Sequence, residues 1–452
     1  MAFLGNTPTQ QSFTPATDVF SGNGSTTSFT LSRAVASVSQ IEAVIENVQQ
    51  SPVDAYTVSG NTITFTSAPP TGTNNIYVRY TSLITQIIQP SDNTVGFSQL
   101  NSDIQRSTYG FKNRLINGAM VIDQRNAGAS LTPANLQYTV DRWQAQATQT
   151  SKFTVQQNAG SVTPPVGYSK YLGITSSSAY SVLTGDYFAL VQGIEGLNTA
   201  DLAWGTASAA TVTLSFWVRS SLTGTFGGAI SGGPQSYPFT YTISAANTWE
   251  QKSITIAGST SGSWATNNTA SMYVSFGLGI GATYSGTAGA WSNTFYFSAT
   301  GATSVVGTNG ATFYITGVQL EKGTTATSFD YRPYTTELQL CQRYLPAWSA
   351  TNSTEFIAAL GYGYTTNAYI NFNFPVATRV PPTGISISSF SHINVSTISG
   401  NYTTSAAVMF NYQGTQGGCI NFTIATIGAN ALPLNLYFTN ASGKILFTGC
   451  EL

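Results

Sequence analysis

Thr211-Val212-Thr213-Leu214-Ser215-Phe216-Trp217-Val218 alternates hydroxyl-bearing side chains with apolar ones as far as Phe216. That period of two is the signature of a β-strand. The same patterning returns in Ser253-Ile254-Thr255-Ile256, Met272-Tyr273-Val274-Ser275-Phe276 and Phe313-Tyr314-Ile315-Thr316-Gly317-Val318. Gly- and Ser-rich turns separate these strands. Short regular strands of this kind predict a sandwich or jelly roll over residues 117–334. Trp143 and Trp217, one in a flanking motif and one in the strand, are read as core residues.

Outward from this block the patterning stays β. Residues 18–82 begin with the turn chemistry of Asp18-Val19-Phe20-Ser21-Gly22-Asn23-Gly24. Ser28-Phe29-Thr30-Leu31 starts a strand, and Ile41, Val44, Ile45 and Val48 follow. Tyr56-Thr57-Val58 and Ile63-Thr64-Phe65-Thr66 flank Ser59-Gly60-Asn61-Thr62, a hairpin signal. Ile76-Tyr77-Val78-Arg79-Tyr80 again alternates. This is a β-sandwich-like amino-terminal domain, residues 1–88.

Residues 89–116 differ. Phe97, Leu100, Ile104, Phe111 and Leu115 fall at near-heptad spacing, which predicts a short helical connector. It is either a trimerising coil or an amphipathic connector packed on its own domain. Arg106, Lys112, Arg114, Arg125 and Arg142 gather here with Asp103, Asp123 and Asp141, which reads as ion pairing at a junction. After the jelly roll, Leu338, Cys341 and Leu345 share a helical face that Pro346 ends, giving a linker helix at 335–348. A third β domain occupies 349–452. The fold class is therefore mainly β.

Composition sets the surface chemistry. Only 7% of the 452 residues are charged, against about 25% in an ordinary soluble domain, while 12% are aromatic. Abundant aromatic and β-branched residues exclude a disordered chain. A net charge of −1 gives no footprint for nucleic acid. No apolar run is long enough for a membrane helix, and the start lacks the pattern of a secretory signal. Cytoplasmic synthesis and assembly are expected. Cys341, Cys419 and Cys450 are too few for a disulfide framework. Cys419 and Cys450 either pair within the last domain or, the preferred reading, stay as free buried thiols. Sequons such as Asn267-Asn268-Thr269 and Asn421-Phe422-Thr423 are read as a by-product of composition.

Three stretches resemble bacteriophage tail-fibre sequences. The segment from Phe20-Ser21-Gly22-Asn23-Gly24 to Ile76-Tyr77-Val78-Arg79-Tyr80, with Asp54-Ala55-Tyr56 and Ala68-Pro69-Pro70-Thr71-Gly72, looks like the amino-terminal domain of podovirus-type fibres. Asn113-Arg114-Leu115-Ile116-Asn117-Gly118-Ala119-Met120 and Tyr138-Thr139-Val140-Asp141-Arg142-Trp143 open the large block. Gly317-Val318-Gln319-Leu320-Glu321-Lys322-Gly323 and Phe329-Asp330-Tyr331-Arg332-Pro333 close it. This bracket is similar to a carbohydrate-binding-module-like jelly roll of phage structural proteins, especially those of marine and cyanobacterial phages. Phe374-Pro375-Val376-Ala377-Thr378-Arg379-Val380-Pro381-Pro382 with Glu451-Leu452 looks like a fibre carboxy-terminal domain, although Thr378 stands where Met is usual. The resemblance implies a homotrimeric virion subunit. It would dock to tail adaptor or nozzle proteins by its amino-terminal domain and bind a host polysaccharide or lipopolysaccharide.

The residues themselves argue for binding over catalysis. Glycoside hydrolysis needs two carboxylates roughly 5 to 9.5 Å apart, and the 17 acidic residues are scattered singly. Asp141, Glu321 and Asp330 are best placed, but each sits in a bracketing motif and is expected to pair Arg142, Lys322 or Arg332. The lone His392 has no announced partner. No metal-ligand spacing appears, and no cofactor is expected. Aromatic rings stack on pyranose faces and amides bond their hydroxyls. Trp264, Tyr284 and Trp291, in Gly/Ser-rich stretches, and Tyr362, Tyr364 and Tyr369, in the last domain, are the glycan-binding candidates. Each has a competing role in a core or a trimer contact. A purely structural head or tail appendage and a polysaccharide-degrading spike are the alternative functions.

Overall fold

The computed structural model describes residues 16–81, 111–397, 400–409, 413–426 and 432–452. The chain divides into two compact units, Met1–Leu100 and Asn101–Leu452.

In the first unit, β1 (Thr17–Gly22), β2 (Ser28–Val35), β3 (Ile41–Ile45), β4 (Val48–Gln49), β5 (Tyr56–Phe65) and β6 (Gly72–Tyr80) form two sheets. Their orders are β1-β6-β3-β4 and β2-β5. Leu31, Ile41, Tyr56, Ile63, Phe65, Ile76 and Val78 fill the core between them. The hairpin expected at Ser59–Thr62 is absent. β5 runs straight through it and pairs with β2, Phe29 opposite Ile63. Gly60, at φ +59°, sits at a register irregularity inside one strand. That irregularity lets Tyr56 share the buried face of Ile63 and Phe65 although it lies an odd number of residues away.

The second unit opens with a two-sheet sandwich. Its strands are β7 (Gln137–Tyr138), β8 (Gln144–Ala147), β9 (Phe153–Gln157), β10 (Leu172–Ser176), β11 (Tyr187–Glu195), β12 (Val212–Ser220), β13 (Gly224–Gly232), β14 (Gln235–Ile243), β15 (Glu250–Ile256), β16 (Ala270–Ile280), β17 (Ser285–Gly286), β18 (Ser298–Ala299) and β19 (Thr312–Lys322). One sheet has the order β15-β12-β19-β10-β9 and the other β14-β13-β16-β11-β8-β7, with β17-β18 a small parallel pair. Val212, Leu214, Phe216 and Val218 all point into the shared core, as the alternation requires. The mainly β, jelly-roll class is the one read from the sequence. Trp143 is fully buried, but Trp217 is not a core residue. It is only half-buried, because period two sends it to the face opposite Phe216.

Residues 111–116 are not helical, and the rest of the expected connector lies outside the described residues. Side-chain amides that bond nearby backbone compete with helix formation, and here they do so fully. Asn113 Nδ2 donates to Val318 O at 3.0 Å and its Oδ1 accepts from Leu320 N at 3.0 Å. Gln192 of β11 clamps Ile116 in the same two-bonded way. Asn117 donates to Ile122 O and Asp141 O. Leu115 thereby enters the sandwich core, while Phe111 is exposed.

Helix α1 (Tyr334–Gln342) then leads to the last lobe. This contains β20 (Ala347–Ser349), β21 (Glu355–Tyr364), β22 (Asn367–Asn373), β23 (Gly384–Ile387), β24 (Ile393–Thr397), β25 (Gly400–Thr403), β26 (Ala406–Met409), β27 (Gly417–Thr423), β28 (Leu432–Phe438) and β29 (Lys444–Thr448). They form a three-stranded sheet, β20-β29-β23, and a seven-stranded one, β25-β24-β28-β21-β22-β27-β26. Ile370, Phe372, Ile420, Leu436 and Phe447 share the core between them.

Ion pairs do gather where sandwich and last lobe meet, but with other acids than expected. Arg142, fully buried, pairs with Glu451, and its guanidinium lies 3.7 Å from the Tyr344 ring centroid. Arg125 reaches Glu451 at 2.7 Å, and Arg343 reaches Glu195 at 2.5 Å. Asp123 instead caps its own loop at Asn126 N and Gly128 N. Asp141 accepts from Gln124 and does not pair Arg142. Arg106 and Asp103 lie outside the described residues.

Candidate functional site

The site is built on the seven-stranded sheet by the stretch Asn367-Ala368-Tyr369-Ile370-Asn371-Phe372-Asn373. Ala368, Ile370 and Phe372 are buried, so Asn367, Tyr369, Asn371 and Asn373 must face outward. On β21 the same rule turns Tyr362 and Tyr364 outward, each 50% exposed. The antiparallel register sets Tyr362 directly opposite Tyr369. Their rings stack, with centroids 4.9 Å apart and planes 23° from parallel.

Close approach of the two strands depends on Gly361, where a Cβ would lie 2.1 Å from Tyr369 O. On the other side of β22, Tyr369 faces Asn421 of β27. The rings and amides line a groove of about 520 Å³ with Asn371, Asn373, Gly417, Gly418 and Cys419. None of the groove's residues is charged. Cys419 is half-buried, and burial pushes its thiol up from its ordinary value. Such a groove offers ring faces for apolar stacking and amides that both donate and accept.

The other candidates are placed differently. Trp264 and Trp291 come together, ring centroids 5.8 Å apart, and both edge onto Trp204 at 4.8 and 5.4 Å. Their indole N–H groups are spent on backbone, Trp264 on Ser261 O and Trp291 on Ala257 O. These rings pack the sandwich's own loops. Tyr284 is half-buried and sits T-shaped on Tyr187 at 5.1 Å. Neither group lies near the Tyr362–Tyr369 pair in sequence or sheet.

The three acids weighed for catalysis are all engaged, and Glu321 and Asp330 both meet Gln319, whose amide donates to Glu321 and accepts from Asp330 N. Glu321 accepts from Gln319 and twice from Thr327, and Lys322 pairs with Asp201 rather than with Glu321. Glu321 is buried under Thr327, which donates to both of its carboxylate oxygens. Asp330 pairs Arg332 at 3.6 Å, as the sequence suggests. Asp141 is buried, which pushes its carboxyl up to about 7 against the pull of the Arg125 guanidinium. His392 lies 3.5 Å from the Ser388 hydroxyl at the edge of the last lobe. Among the described residues no group of three or more His, Cys, Asp or Glu is placed to hold a metal ion. The three cysteines are free, Cys341 and Cys450 buried.

Sequence reasoning missed Asn371, Asn373 and Cys419. The period-two run from Asn367 to Asn373 carried the signal for the two amides. Cys419 becomes visible only once β27 is paired with β22.

No family model and no curated protein matches the chain. Solved structures do. The enzymatically active domain of tailspike protein 4 from bacteriophage CBA120 is 14% identical, with a TM-score of 0.27 over 47% of this chain, and the chain covers only 22% of that one. TmCBM61 in complex with β-1,4-galactotriose is 12% identical, TM-score 0.26, over 47% of this chain and 99% of that one. The family 11 carbohydrate-binding module from Clostridium thermocellum is 11% identical, TM-score 0.23, over 44% and 98%. TM-scores this low say nothing of ligand or activity.

Proposed function

We propose that the outer face of the seven-stranded sheet binds a neutral glycan, and that the chain is a receptor-binding subunit of a phage tail fibre. The observation that carries the first part is the stacked, half-exposed Tyr362–Tyr369 pair beside an uncharged amide groove. An aromatic body with a polar tip suits a surface that is apolar on one side and wet on the other. The lack of charge in the groove favours a neutral sugar, since an acidic one would leave its carboxylate unpaired.

The chain binds without cleaving in this reading. What supports it is the engagement of Asp330 and Glu321 in bonds that fix the sandwich's own motifs. The fibre assignment is supported by the resemblance of three stretches along the chain. It brings with it a homotrimer, docking of the amino-terminal unit to tail proteins, and a place on the virion tail.

The test is an array of neutral and acidic glycans probed with the full chain and with Tyr362→Ala. Retention on neutral glycans that the variant loses is the expected result. Retention that Tyr362→Ala leaves untouched contradicts the site. Release of reducing sugar from a retained glycan contradicts the binding-only reading.

A further inference from the structure

The face that carries Tyr362 and Tyr369 carries a second aromatic pair. Phe356 on β21 stands opposite Tyr437 on β28, with ring centroids 5.5 Å apart and planes 39° from parallel. Phe356 is 68% exposed. An exposed Phe on an open sheet face is costly to solvate and buries nothing in this chain's own core. The register shows that both pairs share one face. Phe356 is opposite Tyr437 and Tyr362 is opposite Pro433, and β28 alternates evenly between them.

The two pairs are four steps apart along β28, from Pro433 to Tyr437, which at the usual strand rise is about 13 Å. That exceeds the width of one pyranose ring. Exposed Asn435 lies between the two pairs on the same face. Each pair also has an amide as its cross-strand neighbour, Asn421 beside Tyr369 and Asn394 beside Tyr437. The Oδ1 atoms of both amides are buried without a hydrogen-bond partner, while Asn394 Nδ2 donates to Tyr437 Oη at 3.3 Å. Asn421 Nδ2 donates to Asn367 Oδ1 at 3.1 Å, so turning either amide to offer its Oδ1 to a sugar hydroxyl exchanges one such Nδ2 bond for a bond that satisfies the buried acceptor.

We infer that the face is a two-platform track that recognises an extended, internal stretch of a neutral polysaccharide, with Phe356 and Tyr437 as its second subsite. This rests on the neutral-glycan reading of the Tyr362–Tyr369 groove. A terminal sugar or a disaccharide reaches one platform only. A longer chain reaches both, with its hydroxyls on the intervening amides. Binding strength therefore rises with chain length until both platforms are covered, and then levels off.

The experiment measures the affinity of the full chain for neutral oligosaccharides of increasing length, from disaccharides upward, in β-glucan, galactan and α-glucan series. Wild type, Phe356→Ala and Tyr362→Ala are compared, with particle mass recorded for each. Phe356 is exposed, so its loss leaves the core intact. The expected result is that Phe356→Ala binds disaccharides as wild type does but loses on the order of five- to tenfold on the long members. Tyr362→Ala weakens binding at every length. A Phe356→Ala chain that keeps the full gain with length overturns the second subsite and leaves the first standing. A smaller particle for Phe356→Ala overturns it too, since the face is then a contact between copies. Indifference of all three proteins to every neutral series, or a Tyr362→Ala chain that binds as wild type does, overturns the glycan reading itself.

Discussion

Tyr362 and Tyr369 stack across neighbouring strands at 4.9 Å, on a sheet face whose opposite side is close-packed core. Tyr362 can be removed without opening that core. Tyr362→Ala should therefore cost about 1 kcal/mol of glycan binding, five- to tenfold in Kd, while the melting temperature moves little. Calorimetric titration and thermal melting of the same preparation check both halves.

Gly361 should tolerate no side chain. A Cβ would press into Tyr369 O at 2.1 Å, so Gly361→Ala must push β21 and β22 apart. Overpacking of this kind costs typically 1–3 kcal/mol. Denaturant unfolding should show that loss, and binding should fall as it does in Tyr362→Ala.

Asn113 holds the opening of the sandwich to its last strand with two 3.0 Å bonds. Asn113→Ala leaves the N–H of Leu320 and the carbonyl of Val318 without those partners inside the protein. The expected loss is about 1–3 kcal/mol of sandwich stability, read from urea unfolding. Glycan binding on the last lobe's sheet should survive in the folded fraction.

Asp141 supplies a pH dependence with a definite sign. Burial lifts its carboxyl to about 7, above its unfolded value of about 3.9. The folded chain thus keeps a proton that the unfolded chain releases between these values. Its stability contribution is complete below about pH 4 and is lost as the pH rises through about 7. Asp141→Asn has no such loss. The stability of the variant relative to wild type should climb from pH 4 to 7 and then level off, which unfolding at a series of pH values measures. A constant difference would place Asp141 in a different environment.

Strand periodicity made much of this molecule legible. Val212, Leu214, Phe216 and Val218 could be assigned to one buried face because period two admits a single solution. The same rule, applied strictly, would have moved Trp217 outward. The spacing of Phe111 and Leu115 suggested a helix, because periodicity does not register side-chain amides that bond backbone far along the chain. Asn113 with Val318, and Gln192 with Ile116, are such bonds. The two tyrosines of the candidate groove, Tyr362 and Tyr369, were visible with Tyr364 as exposed-type aromatics in the last domain. Phe356 and Tyr437 were not, since nothing local pairs residues 81 positions apart. Trp264 and Trp291 were visible as loop rings, but not their packing on Trp204 or the bonds of their N–H groups to Ser261 O and Ala257 O.

Cys419 gives the most direct test of glycan binding in the Tyr362–Tyr369 groove. It lines that groove, half-buried, while Cys341 and Cys450 are buried. The measurement is the rate of Cys419 alkylation in the full chain, with and without a saturating neutral glycan that the array retains. The glycan should slow alkylation in wild type, and Tyr362→Ala should need about five- to tenfold more glycan for the same protection. A saturated wild-type protein whose Cys419 reacts at the glycan-free rate would put the sugar elsewhere on the molecule and contradict the account.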